Sequence, residues 1–210
     1  MLSIQKFLIL MLFTTLHCTS YAQEKQIKIR GEIIVTDNEY LTVHTKDDRE
    51  IKVHFSEGVS VFRLSKTTFA DVDFGTYVGA VSKRLDEYSP IVRDSMSWLH
   101  EGYELRIMDE ELRGIALGHS KWDLTSESVI SHGWVDDLEI RVLSIKYGPT
   151  EEEETDVDIP RDVTISRMSI GDQSLLQPKA KVFIGAAAGE NNEFEATYIM
   201  VGENGLIPAL

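Results

Sequence analysis

The sequence contains very little cysteine: among its 210 residues there is one, Cys18, near the amino terminus. A chain with a single thiol forms no internal disulfide, and it lacks the clustered thiolates of structural zinc sites. Positive charge is also scarce, since 21 Lys and Arg stand against 35 Asp and Glu, which gives a formal net charge of -14. This charge opposes an approach to phosphate, so we expect no nucleic-acid partner.

Long apolar runs are missing too, and the first residues carry only a short one, at positions 7–13 after Lys6. This run falls short of the roughly 20 residues that span a bilayer. A basic start, a short apolar stretch and small residues at Ser20 and Ala22 are typical of a cleavable secretory signal. We therefore predict a signal peptide at residues 1–22, cleaved after Ala22, and a periplasmic or secreted protein with no transmembrane segment after cleavage.

Catalytic motifs are absent as well. The sequence has no Gly-x-Ser-x-Gly elbow, no His-Glu-x-x-His pair, no phosphate-binding glycine loop and no dinucleotide fingerprint. We therefore expect no enzymatic activity, no catalytic residue and no bound cofactor.

Strand patterns dominate the remaining chain. Apolar and polar residues alternate over residues 26–33, 40–44 and 50–55, and turn residues separate these segments. Alternation with a period of two is typical of half-buried antiparallel strands. The composition and the pattern together predict an all-β protein.

The second half of the chain repeats the apolar pattern of the first. At an offset of 104 positions, Val59 aligns with Val163, Val61 with Ile165 and Val78 with Val182. Such self-similarity favours two copies of one small β-unit. We predict two tandem five-stranded OB-like barrels, at residues 23–108 and 127–210, joined by an irregular connector at residues 109–126. A single sandwich built from all the strands is the alternative.

The connector holds the residues with the most varied chemistry: Arg113, Gly118, His119, Trp122 and Asp123. His119 and Asp123 are four residues apart, and an imidazole nitrogen with a carboxylate oxygen suits zinc or copper. In the other interpretation, Trp122 fills the seam between the barrels while His119 and Asp123 satisfy backbone groups. The sequence therefore offers His119 and Asp123 as weak candidates for a divalent-metal site.

Acidic residues suggest two further possibilities. The run of four glutamates at residues 151–154 could bind calcium, or it could be the solvated tip of a hairpin. Asp123 or Glu110 could act as an acid or base if the protein hydrolysed polymers of the cell envelope.

Aromatic residues allow a binding role. Tyr40, Phe62, Tyr77 and Trp134 could offer surfaces on which a sugar stacks, as happens on OB-type barrels. A glycan or an envelope protein is therefore the expected partner. From the residues alone we predict a non-enzymatic binding or structural module of the cell envelope, with metal handling and hydrolysis as rivals.

Five motifs follow one another along the chain: Arg30-Gly31-Glu32-Ile33, residues 71–79, residues 113–124, Lys181-Val182-Phe183-Ile184 and Val201-Gly202-Glu203-Asn204-Gly205. Their order resembles a family of exported bacterial proteins of unknown function that are built from tandem small β-domains. Some of these proteins have been labelled as components of metal transporters. The resemblance implies an all-β fold and an exported location, and it leaves the function open.

Overall fold

The computed structural model describes residues 26–86, 99–188 and 193–208, which form thirteen β-strands and a few short 3-10 turns. The all-β prediction is therefore confirmed. Within these ranges, no helix is long and apolar enough to cross a membrane. The predicted signal peptide, residues 1–22, lies outside the described residues. The strands are β1 (Ile27–Thr36), β2 (Tyr40–Thr45), β3 (Glu50–His54), β4 (Ser60–Lys66), β5 (Tyr77–Arg84), β6 (His100–Met108), β7 (Gly118–Lys121), β8 (Ser128–Glu139), β9 (Val142–Lys146), β10 (Glu154–Asp158), β11 (Thr164–Ile170), β12 (Lys181–Ala188) and β13 (Phe194–Gly202).

All thirteen strands belong to one hydrogen-bonded sheet, in which short pairings close a ring at each end. The first ring consists of β1, β2, β3, β12 and β13, and it is closed where β3 pairs with β13. The second ring consists of β5, β6, β8, β9 and β10, and it is closed where β10 pairs with β6. Strands β4 and β11 pair with each other and join the two rings through β13 and β6.

The structure does not show two tandem barrels of five consecutive strands. The first ring takes three strands from the first half of the chain and two from the second, and the second ring does the reverse. The physical reason lies in the similarity of β5 and β12, which present Val78 with Ala80 and Val182 with Ile184 to the ring interiors. Because the two strands bury equivalent positions, the apolar pattern defines which residues point inward but not which strand is the neighbour.

The described part of the chain contains three hydrophobic clusters. One lies inside each ring, and the third, which we call the inter-ring cluster, lies between them. On β6, Leu105 and Ile107 point into the second ring, so the alternate residue Met108 points out into the inter-ring cluster. On β13, Met200 reaches the same cluster from the first ring. The outer faces of the two rings therefore supply a separate apolar layer.

The connector is more regular than predicted. It begins with a 3-10 turn at Glu110–Leu112 and continues into β7, which pairs with the first residues of β8. The hydroxyl of Tyr77 on β5 donates a 2.7 Å hydrogen bond to the carbonyl oxygen of Ile115. These contacts hold the connector over the inter-ring cluster.

Candidate functional site

A pocket of about 440 Å³ opens beside the inter-ring cluster. Strands from both rings, the bridging strands and the connector all contribute to its wall. Its volume lies within the range of roughly 300–1,000 Å³ that is usual for small-molecule sites. We call it the inter-ring pocket. Its lining residues are Gln26, Ser60, Phe62, Arg106, Met108, Ile115, Ala116, Ser120, Trp122, Ile130, His132, Met168, Thr197, Tyr198 and Met200.

A buried ion pair forms part of the wall. The Arg106 Nε atom lies 2.6 Å from Glu104 Oε1, and the two residues are 3% and 4% exposed. Arg106 Nη1 lies 3.8 Å from the sulfur of Met200 on the opposite ring. The remaining nitrogen, Nη2, is buried and has no hydrogen-bond partner among the described residues. Arg106 therefore lines the pocket and carries a buried charged donor that no described residue accepts from.

Trp122 supplies a second unused donor. Its ring stacks on Phe183 of β12 with centroids 5.8 Å apart, and the ammonium group of Lys28 lies 3.5 Å above it. These contacts fix the indole between the connector and the first ring. Its Nε1 atom is buried and, within the part of the chain that the structure describes, has no partner. An unpaired buried N–H group is costly, so a ligand that accepts from it would be stabilised.

Methionine thioethers make the rest of the wall soft. Met108, Met168 and Met200 all line the pocket, although they come from three different strands. Met108 and Met168 are direct partners in the parallel pairing of β6 with β11. Unbranched, polarizable side chains adapt to ligands of different shape. The wall can therefore follow the outline of a bound molecule.

His132 lies in the pocket as a neutral imidazole. Gly79, its partner on β5, leaves the space that the ring occupies, because a Cβ there would lie 2.9 Å from His132 Nε2. Burial, and then the charge of Arg106, lowers the pKa of His132 to about 4. The ring is thus uncharged near neutral pH and can donate or accept one hydrogen bond at each nitrogen.

Replacing His132 with glutamine is expected to reduce the pH dependence of stability between about pH 6.5 and 4. The folded pKa of His132, about 4, lies below the 6.5 of an unperturbed histidine. The unfolded chain therefore binds more protons in this window, and the stability present above pH 6.5 is lost as the pH falls towards 4. His132 should account for roughly 2 kcal/mol of that loss. Urea unfolding at the two ends of the window measures it.

The control for this experiment is His44→Gln, because the His44 side chain is exposed on β2. This variant should retain the pH dependence of the parent protein. A His132→Gln variant that loses as much stability on acidification as the parent would show that His132 is not held neutral by the fold.

Asp123 anchors the connector to the first ring. Its carboxylate accepts hydrogen bonds from both terminal nitrogens of Arg30, at 2.7 and 3.0 Å, and one from Lys28 at 3.3 Å. Burial opposes the charge, but the hydrogen bonds and charges of Arg30 and Lys28 leave the pKa of Asp123 below its usual value. Asp123 therefore clamps the connector beside Trp122.

His119 contacts the second ring instead. Its Nδ1 atom lies 2.9 Å from the hydroxyl of Ser131, and its ring stacks on Tyr147 with centroids 5.4 Å apart. The ring of His100 lies 6.2 Å away. Burial lowers the pKa of both histidines, and that of His100 to about 4. His119 and Asp123 thus have different partners on different rings, and a shared metal ion stays a prediction.

The other connector residues have local roles. Arg113 forms two hydrogen bonds with the carboxylate of Glu110, at 2.6 and 2.7 Å, and Arg113 Nη1 donates to the carbonyl oxygen of Gly75. Gly118 begins β7 with a φ of 134°, a conformation that side chains disfavour. The glutamates at residues 152 and 153 lie in the turn before β10, as a hairpin tip would.

The described residues contain no group of three or more His, Cys, Asp or Glu side chains placed to hold one metal ion. The thioethers of the inter-ring pocket are a different ligand type. Nothing in the sequence pattern marks Glu104 and Arg106 as buried, because charged residues that alternate with apolar ones in a strand normally face solvent. Searches of protein-family models, curated proteins and solved structures found no match for this chain.

Proposed function

We propose that this chain is a non-enzymatic binding module of the cell envelope, and that its ligand occupies the inter-ring pocket. One observation carries the proposal: among the described residues, two buried N–H donors have no partner, Arg106 Nη2 and Trp122 Nε1, and both belong to residues that line the same pocket. Buried donors are normally paired, so two unpaired donors on residues of one pocket wall support a ligand as their partner.

The geometry around the pocket supports binding over catalysis. Apart from Arg106, the described residues of the lining are uncharged, given the neutral state of His132. General acid and base catalysis needs groups that exchange protons near the working pH. The wall instead offers hydrogen-bond donors and apolar contacts, which hold a molecule without changing it.

Two features of the sequence support a location in the envelope. The signal peptide predicted at residues 1–22 would direct the chain out of the cytoplasm. The resemblance to exported tandem β-domains points the same way. We also infer that the chain is a tandem repeat, since β4 and β11, 104 positions apart, share one sequence of buried and exposed residues.

The pocket can be tested with N-phenyl-1-naphthylamine, a neutral dye whose fluorescence rises in apolar surroundings. The chain from residue 23 to 210 should bind the dye with a clear increase in fluorescence. Ser60 lines the pocket from an exposed position on β4, so Ser60→Trp should fill it and weaken dye binding at least tenfold. Fluorescence titration gives the dissociation constants.

The matched control is Glu50→Trp, which adds the same side chain at an exposed position on β3 outside the pocket. This variant should bind the dye as the parent does. Equal binding by Ser60→Trp would mean that the dye sits elsewhere, and an absence of binding in every variant would overturn the proposed function.

A further inference from the structure

Building on the proposed function, we propose that the ligand is a neutral amphipathic molecule. It has an apolar body the size of fused aromatic rings and a carbonyl or hydroxyl oxygen that accepts hydrogen bonds from Arg106 Nη2 and Trp122 Nε1. The donors, the charge balance and the walls of the inter-ring pocket each support one part of this description.

The two orphan donors call for an acceptor. Arg106 is held in place by Glu104, and Trp122 by its stack on Phe183, so both donors are positioned before any ligand arrives. Preorganised donors lose little conformational entropy when a ligand binds. In the proposed complex, one ligand oxygen uses its two lone pairs to accept from both donors.

The balance of charge favours a neutral ligand. The positive charge of Arg106 is already compensated by Glu104 within the buried pair. Among the residues that line the pocket, a carboxylate would find no further cation to pair with, and burying an unpaired charge is costly. A carbonyl or hydroxyl oxygen satisfies the donors without this penalty.

The walls favour an apolar body. Phe62 and Tyr198 line the pocket beside the three thioethers, with their ring centroids 6.4 Å apart. Aromatic and methionine side chains gain most from contact with a flat apolar surface. A volume of about 440 Å³ leaves room for fused rings.

The same thioethers, together with His132, are also ligands that a soft monovalent metal ion prefers. The guanidinium group argues against such an ion, because Arg106 Nη1 lies 3.8 Å from the Met200 sulfur and would place two positive charges side by side. A metal ion would also leave both N–H donors unpaired. An organic ligand with an acceptor oxygen therefore explains the unpaired donors and the nearby guanidinium group better than a metal ion does.

Three naphthalenes of nearly equal shape test the ligand class by displacement of N-phenyl-1-naphthylamine. The ketone 2-acetylnaphthalene should bind about tenfold more tightly than 2-ethylnaphthalene, which lacks the acceptor. It should also bind about tenfold more tightly than 2-naphthoate, which carries a charge. Silver ion is the fourth competitor, and it should not displace the dye.

Two variants test whether the tighter binding of the ketone depends on the two N–H donors. Trp122→Phe retains an aromatic ring without the N–H group, and Glu104→Leu with Arg106→Met removes both charges together. Each should reduce the ketone's advantage over 2-ethylnaphthalene to threefold or less, while 2-ethylnaphthalene still binds. The control is Trp134→Phe, since Trp134 packs against the inter-ring cluster but does not line the pocket, and it should retain the full advantage.

Each other outcome is also informative. Equal binding of the ketone and 2-ethylnaphthalene would overturn the acceptor, tighter binding of 2-naphthoate would overturn neutrality, and displacement by silver would assign the pocket to a soft metal ion. In all three cases the dye still binds, so the proposed function stands while the ligand class fails. If the dye itself does not bind, the proposed function fails first.

Discussion

Arg106→Met is expected to lower the free energy of unfolding by about 3–5 kcal/mol, the cost of leaving one partner of a buried ion pair alone. In this variant the Glu104 carboxylate stays buried at 4% exposure and loses the 2.6 Å contact that compensates it. Its second oxygen already lacks a hydrogen-bond partner among the described residues. Urea unfolding at neutral pH, followed by circular dichroism, measures the loss.

The double variant Glu104→Leu, Arg106→Met separates the unpaired charge from lost packing. Both charges disappear, and apolar side chains of similar length fill the space, so its stability should lie within about 1–2 kcal/mol of the parent or above it. Lys83→Met is the matched surface control: its 2.6 Å pair with Glu127 is exposed, and its loss should cost less than about 1 kcal/mol. A double variant as unstable as Arg106→Met would show that the charge is not the cause.

The chemistry of the buried pair bears on its role. Two apolar residues would fill the space between the rings at no electrostatic cost. The pair instead holds a guanidinium group at the wall of a pocket, with one donor that no described residue accepts from. This arrangement fits the proposed role in binding better than a role in stability.

Sequence and structure agree where the alternation of apolar and polar residues determines the position of a strand. The segments predicted as strands at residues 40–44 and 50–55 correspond to β2 and β3. Burial of alternate residues is a local property, so the sequence carries it directly. Which strands become neighbours depends on the whole chain. The sequence does not show it here, because equivalent strands in the two halves have the same apolar pattern.

The site is predictable only in part, for similar reasons. Trp122 and Asp123 stand out because the connector interrupts the alternating pattern around them. Arg106 does not stand out, since the face of β6 on which it lies is buried by contact with the first ring, where Arg106 approaches Met200. The inter-ring pocket exists because the outer faces of the two rings meet, and the sequence of a single strand does not show this contact.

Cutting the chain between Gly114 and Ile115 is expected to give two fragments that fold together when mixed, and neither of which folds as a monomer. Gly114 is exposed and has a φ of 85°, so the cut falls in a turn before β7. The fragment of residues 23–114 contains β1, β2 and β3 without their partners β12 and β13. Exposed strand edges and half of a ring interior make this fragment unstable as a monomer.

Mixing the two fragments should restore a one-to-one complex with the circular dichroism spectrum of the intact chain, and light scattering should give its mass. Each fragment alone should be unfolded, aggregated or paired with a second copy of itself, because its two sets of strands face different rings. A fragment of residues 115–210 that is monomeric and folded, with dispersed amide resonances, would mean that three strands and two strands of one half can close a ring together. The exchange of strands between the halves would then not be required for folding. If neither fragment folds as a monomer and the mixture gives the complex, folding requires the exchange of strands between the halves. The inter-ring pocket then depends on that exchange, since the bridging strands β4 and β11 come from different fragments and pair at its wall.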